Sequence, residues 1–218
     1  MTKIKKQDFI EIEYTGQIKD DNLIFDTTDE KTAKENEIFD ENAKYGPIVI
    51  CVGEGNVIKG LDQFLEGKDI PSEHEVDIEP DNGFGRKNPQ HVKMIPTNKF
   101  TKQNITPMPG LQVNIDGLIG IIKTVGGGRT IVDFNHPLAS KILAYKLKIN
   151  KIVTDDKEKT EAYLKIPLGS DIQVTEKEGN YEVESKQDIP EKLQNSLKEN
   201  AKKLIPSVKD IKFTKKNK

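Results

Sequence analysis

The residue types able to do covalent or metal chemistry are few and poorly spaced. His74, His91 and His136 are dispersed, and no H-x-x-x-H or C-x-x-C spacing occurs, so no metal site built from neighbouring ligands is expected. Cys51 stands inside the apolar run IVICV at 48–52. A buried, inert thiol is expected there, because a nucleophilic thiolate needs exposure and a positive neighbour. Asp20, Asp21 and Asp26 lack the glycine and terminal glutamate of an EF-hand loop. Gly126–Gly128 lacks the Lys-Ser/Thr of a phosphate loop and reads as a hairpin turn. What remains is an apolar and aromatic set with one acid: Tyr14 in YTG, Phe25 and Asp26 in FDTT, Val57 and Ile58 in GNVIKGL, and Phe84 in GFG. Such residues are often core, and spacing alone does not bring them together.

Composition narrows the setting. Of 218 residues 34% are hydrophobic and 32% charged, polar for a globular chain but short of a disordered polyelectrolyte. With 34 basic against 36 acidic residues, a dedicated nucleic-acid binder is not expected. No apolar run is long enough for a transmembrane helix. The start, MTKIKKQDFIEIEY, lacks the apolar core of a signal peptide, and a single Cys fits a reducing cytoplasm.

The elements that must position the candidate set follow from periodicity. Ile10, Ile12 and Tyr14 alternate with glutamates as a half-buried strand, and IVICV suits a strand covered on both faces. The polar excursion 19–44 holds a short helix near 29–36. Ile58, Leu61 and Leu65 share a helical face that ends before Gly67. Val76 and Ile78 form a strand ended by Pro80. Between 85 and 133 the pattern changes to an antiparallel module, with hairpins at Asp116-Gly117 and at Gly126–Gly128. Leu143, Tyr145, Leu147 and Ile149 resume the first pattern. The charged stretch TDDKEKTE at 154–161 marks a boundary. Beyond it a ββαβ unit is predicted: a hairpin turning at Gly179-Asn180, a helix capped by Asp188 with the stripe Leu193, Leu197, Ala201 and Leu204, and a strand bearing Ile211 and Phe213. That stripe suits a homodimer or docking within the chain equally. The lysine-rich end FTKKNK reads as a solvated tail.

The order YTG, FDTT, VGEGNVIKGL, HEVDIEP-x-x-GFG, NHPLA and LAYKLKI resembles the FK506-binding-protein (FKBP) family of peptidyl-prolyl isomerases. The insertion resembles the insert-in-flap chaperone domain of its SlyD-like branch, and the whole resembles the long-type archaeal members. The resemblance implies an α+β fold: a curved antiparallel sheet wrapped on a short helix, an inserted small β-rich flap domain, and a C-terminal α+β domain. The implied boundaries are 1–84 with 134–151 for the isomerase domain, 85–133 for the insert and 152–218 for the last domain. Carried over by position, Asp26, Tyr14, Phe25, Ile58 and Tyr145 are the catalytic set, with the Ile58 N–H as donor to the substrate carbonyl. Val57, Leu61, Phe84 and Leu138 are substrate-binding. Leu61 stands where a Trp is usual, Phe84 where a Tyr is expected, and Tyr145 where a Phe is more usual.

The implied activity needs no metal or cofactor. An X–Pro bond turns over a barrier of roughly 18–20 kcal/mol, and a dry apolar pocket favours its twisted, less polar transition state. In the insert, Ile95, Phe100, Met108, Leu111, Ile119, Ile121 and Ile122 are too many apolar groups for so short a module to bury, so they are expected to form a chaperone surface. Expected partners are unfolded chains with X–Pro bonds, with neither membrane nor nucleic acid; residues 151–218 carry 15 Lys against 13 acids. The rival reading keeps the fold as a non-catalytic holdase or adaptor, activity lost through Leu61 and Phe84.

Overall fold

A computed structural model describes residues 2–169 and 171–215. The chain forms two compact units, Met1–Ile78 with Leu143–Lys218, and Glu79–Ile142. The first unit runs β1 (Thr2–Lys3), β2 (Phe9–Ile18), β3 (Ile24–Thr27), α1 (Glu30–Glu35), β4 (Ile48–Cys51), α2 (Lys59–Leu65), β5 (Asp69–Ile70) and β6 (Ser72–Ile78). The second unit contributes β7 (Val92–Pro96), α3 (Thr97–Thr101), β8 (Gln112–Ile115), β9 (Leu118–Gly126) and β10 (Arg129–Asp133). The chain re-enters the first unit as β11 (Leu143–Ile152), then α4 (Asp156–Leu168), β12 (Gln173–Lys177), β13 (Asn180–Ser185), α5 (Glu191–Leu204) and β14 (Asp210–Lys215).

The alternation of β2 makes it the spine of the first unit. It pairs antiparallel with β11 along one edge, while β3 and β4 share the other and β6 extends the sheet beyond β11. Ile10 and Ile12 turn inward with Leu147 and Ile149, and Leu65 of α2 completes their cluster. The helix ends before Gly67, whose φ of 80° and whose N–H to Ile4 O (2.8 Å) turn the chain away. β4 is covered on both faces. Ile48 and Ile50 belong to that cluster, whereas Val49 and Cys51 pack into a second core with Phe9, Val153, Leu164, Tyr181, Leu197 and Ile211.

The second unit is a four-stranded sheet in the order β7-β10-β9-β8. Asp116 and Gly117 form the β8–β9 turn at φ 52° and 83°, and Gly127 and Gly128 the β9–β10 turn at 56° and 71°, the left-handed pairs that suit two-residue hairpins. The unit spans Glu79–Ile142, taking in 79–84 and 134–142 beyond the expected 85–133. Its core is Phe100, Val113, Ile122 and Val132, with Ile95 and Leu111 packed against it.

Past β11 the structure departs from the sequence reading in four ways. The charged stretch is not a boundary but the start of α4, capped by Asp155, whose carboxylate accepts the Glu158 N–H at 2.7 Å. The expected ββαβ unit is therefore α4-β12-β13-α5-β14, with β13 and β14 parallel, and it shares a core with β2 and β4. The β12–β13 turn is Glu178-Gly179, one residue earlier than expected. Asp188 does not cap α5; Pro190 stands at that position and Asp188 instead holds Lys215 at 2.7 Å. The α5 stripe is used within the chain: Leu197 and Ala201 are buried and Leu204 packs beside them, leaving Leu193 exposed. Of the lysine-rich end, Lys216–Lys218 lie outside the described residues. Among the described residues no helix is long and apolar enough to cross a membrane, and no group of three His, Cys, Asp or Glu could hold a metal ion.

Candidate active site

Three neighbouring strands bring the aromatic set together. Tyr14 on β2, Phe25 on β3 and Tyr145 on β11 form a ring cluster: Tyr145 lies 5.9 Å from each of the other two, tilted against Tyr14 and edge-on to Phe25 at 85°. The Tyr14 hydroxyl donates to Asp26 Oδ2 at 2.9 Å. Burial, then the Asp26 charge, raises the Tyr14 phenol well above its ordinary value, and the same two causes raise Tyr145. Both phenols are therefore neutral at physiological pH, and Tyr14 is the one that donates.

FDTT locks this arrangement. Thr28 Oγ accepts the Tyr14 N–H at 2.9 Å, and the Thr28 N–H returns to Tyr14 O at 2.9 Å. The Thr27 and Thr15 hydroxyls pair at 2.8 Å across β2 and β3. Gly46 N–H then bonds Thr28 O at 2.8 Å, tying the end of the polar excursion to the strand that carries Phe25 and Asp26. The result is a cavity of 250 Å³ whose walls include Tyr14, Phe25, Asp26, Ile38, Tyr45 and Ile48. Tyr45, just past the excursion, is itself fixed, its hydroxyl accepting the Asp40 N–H at 3.0 Å, and its ring stacks on Phe39.

VGEGNVIKGL is held as firmly. Asp62 on α2 accepts the Gly53 and Gly55 N–H groups at 2.7 and 3.1 Å, and Asn56 Oδ1 accepts the Cys51 N–H at 2.8 Å. This loop delivers Val57 to the Tyr14 and Ile48 cluster and sets Ile58 at the N-cap of α2. No side chain caps that helix.

Several expectations need correction. Asp26 is exposed at the rim, not sunk in a dry pocket, and it is not the lone carboxylate, since Asp40 also lines the cavity, with the Lys44 ammonium beside them. Leu61 is only 2% exposed and offers almost no surface to a ligand. Phe84 and Leu138 belong to the second unit, where the Phe84 ring stacks flat on His136 at 4.3 Å and the Leu138 N–H bonds His136 Nδ1 at 3.2 Å. Of the expected chaperone surface, Phe100 and Ile122 are core, Ile95 and Leu111 pack on that core, and Ile121 is half-buried. Of the expected set only Met108 and Ile119 are open; the exposed Met94, Leu118, Val92 and Val125 were passed over by the sequence reading. The reason is strand geometry: Ile121 and Ile122 are adjacent on β9 and must face opposite sides. The sequence reading also missed Thr28, Ile38, Tyr45 and Ile48. The threonine pair in FDTT was a usable signal, while 38 lies in the excursion without periodicity and 45 just past its end.

Residues 1–105 match the family described as FKBP-type peptidyl-prolyl cis-trans isomerase, and residues 93–138 match the FKBP26 IF domain. A short-type peptidyl-prolyl cis-trans isomerase of Methanocaldococcus jannaschii is 30% identical over 155 residues, covering 71% of this chain and 98% of that one. A probable FKBP-type 16 kDa peptidyl-prolyl cis-trans isomerase of Pseudomonas fluorescens is 35% identical over 108 residues, 47% of this chain and 71% of the relative. The FKBP-type isomerase SlyD of Haemophilus influenzae is 26% identical over 133 residues, 59% and 69%. With the motif order, the ring cluster and these likenesses in agreement, the chain belongs to the FKBP-type peptidyl-prolyl cis-trans isomerase family.

Proposed function

We propose that the chain is a peptidyl-prolyl cis-trans isomerase acting on X–Pro bonds of polypeptides, with the second unit holding unfolded clients. The carrying observation is the ring cluster Tyr14, Phe25 and Tyr145 beside a cavity, with Asp26 fixed on the Tyr14 hydroxyl. The rings give the proline an apolar seat. As the imide twists, resonance is lost and its carbonyl becomes less polar, so an environment that solvates the planar form poorly favours the twisted one. The Ile58 N–H, at an uncapped helix start, is assigned as donor to the substrate carbonyl, and Val57 as its apolar neighbour. Asp26 acts by orienting the Tyr14 hydroxyl, not by proton transfer. A lowering of the barrier by about 5 kcal/mol gives a thousand- to ten-thousand-fold acceleration.

The domain assignment that goes with this reading is an isomerase body inseparable from the C-terminal segment, plus one inserted client-binding unit. Met94, Met108, Leu118 and Ile119, all more than half exposed, are its apolar contact groups. Tethering clients there raises the concentration of prolines available to the cavity. The buried Cys51 suits a reducing cytoplasm. A protease-coupled tetrapeptide assay tests the activity. Phe25→Ala and Asp26→Ala are each expected to lower kcat/KM by about tenfold or more, a loss of at least ~1.4 kcal/mol of transition-state binding. A wild type without turnover would favour the non-catalytic holdase.

A further inference from the structure

Gly16 closes the YTG motif, is buried in the middle of β2, and lies opposite Tyr145 on β11 and Asp26 on β3. A glycine inside a strand weakens it, so its presence calls for a reason. Backbone conformation is not the reason, since Gly16 is absent from the positive-φ glycines. Space is. A Cβ built at Gly16 would stand 2.8 Å from Phe25 Cζ, 2.8 Å from Tyr145 Cε1 and 3.1 Å from Tyr145 Cζ, well inside the carbon–carbon contact distance of about 3.5–4.0 Å. The two rings occupy the volume a side chain would fill.

We propose that Gly16 is a positioning residue of the proline site. Its missing side chain lets Phe25 and Tyr145 close edge-to-face over β2, and so sets the width of the cleft. The inference rests on the isomerase reading for its effect on turnover, but ring placement is readable without it. Tyr145 is 3% exposed and has no room to retreat. Phe25 is half-buried and lines the cavity, so it is the ring that a methyl group at Gly16 displaces, toward the space the substrate needs.

The test is a double-mutant cycle of Gly16→Ala and Phe25→Leu in the full chain, read by tetrapeptide kinetics and by NMR cross-peaks between the two rings. In Gly16→Ala, kcat/KM is expected to fall about tenfold, mainly through KM, and the Phe25–Tyr145 cross-peaks to vanish. Phe25→Leu lowers activity in the wild-type background but restores part of it in Gly16→Ala, because the shorter side chain no longer reaches the added methyl. Additive effects would overturn the proposal, as would cross-peaks that persist in Gly16→Ala. If Gly16→Ala does not fold, recovered folding in the double variant supports the proposal and failure of both overturns it. A wild type with no turnover, whose Phe25–Tyr145 cross-peaks nonetheless vanish in Gly16→Ala, overturns the isomerase reading and leaves the ring placement standing.

Discussion

Tyr14 carries two constraints at once, since its ring packs on Tyr145 while its hydroxyl holds Asp26. Burial first, then the Asp26 charge, raises its phenol above the ordinary tyrosine value of about 10. Turnover is therefore expected to stay flat from about pH 6 to 9. The preference for the neutral form stabilises the fold below the unfolded tyrosine pKa of about 10 and is lost as pH climbs above it. A pH–rate profile with a break between 6 and 9 that Tyr14→Phe abolishes would refute this. The order of the family-like motifs, not their spacing, singled out Tyr14, Phe25, Asp26 and Tyr145 as candidates, and three of their rings meet in the fold. It could not reveal that Thr28 bonds both backbone groups of Tyr14, or that Tyr45 faces the same cavity, because those contacts close only when the excursion folds back.

At the scale of elements, the hairpins of the second unit were legible because Asp116-Gly117 and Gly127-Gly128 need left-handed backbone. Which of its apolar groups are open was not, since composition counts residues and pleating decides their side. Replacing Met94, Leu118 and Ile119 with Gln, Gln and Thr is expected to slow proline-limited refolding of a protein client several-fold while sparing the tetrapeptide; equal losses on both would remove the client-binding role. Near the end of β10, Asp133 is held by Asn135 and Lys87. Burial alone would raise its carboxyl, but the backbone and side-chain N–H groups of Asn135, with Lys87, outweigh burial and keep it lowered. Its contribution is complete above the unfolded carboxylate value of about 3.9 and is lost as pH falls through the lower folded value. The stability gap between wild type and Asp133→Asn, measured by thermal unfolding, should narrow in that acid window. Helix α4 escaped the sequence reading because its apolar positions, chiefly Tyr163, Leu164 and Leu168, are few among charges. The pair Asp155 and Glu158, a cap followed three residues later by an acid, was the available signal.

For the molecule as a whole, the segment after β11 is part of the body that carries the ring cluster. Leu164 is fully buried in the core that also takes Phe9, Val49 and Cys51. Leu164→Ala is expected to cost about 2–5 kcal/mol and to lower the temperature at which tetrapeptide turnover fails along with that of global unfolding. Two separated transitions would show the segment to be independent. The thiol in that shared core is pushed up to about 12 by burial, with Glu54, Asp62 and Asp8 adding to it, so it packs and does not react.

The four residues of β4 have a consequence for how such a protein can change. Two cores meet across one strand, Ile48 and Ile50 on one side, Val49 and Cys51 on the other. Neither half can be transplanted alone without leaving a raw hydrophobic wall on the donor, so recombination and engineering must move both together, while the insert, whose entry and exit are tied by the paired bonds of Asn88 and Asn135, stays free to be exchanged.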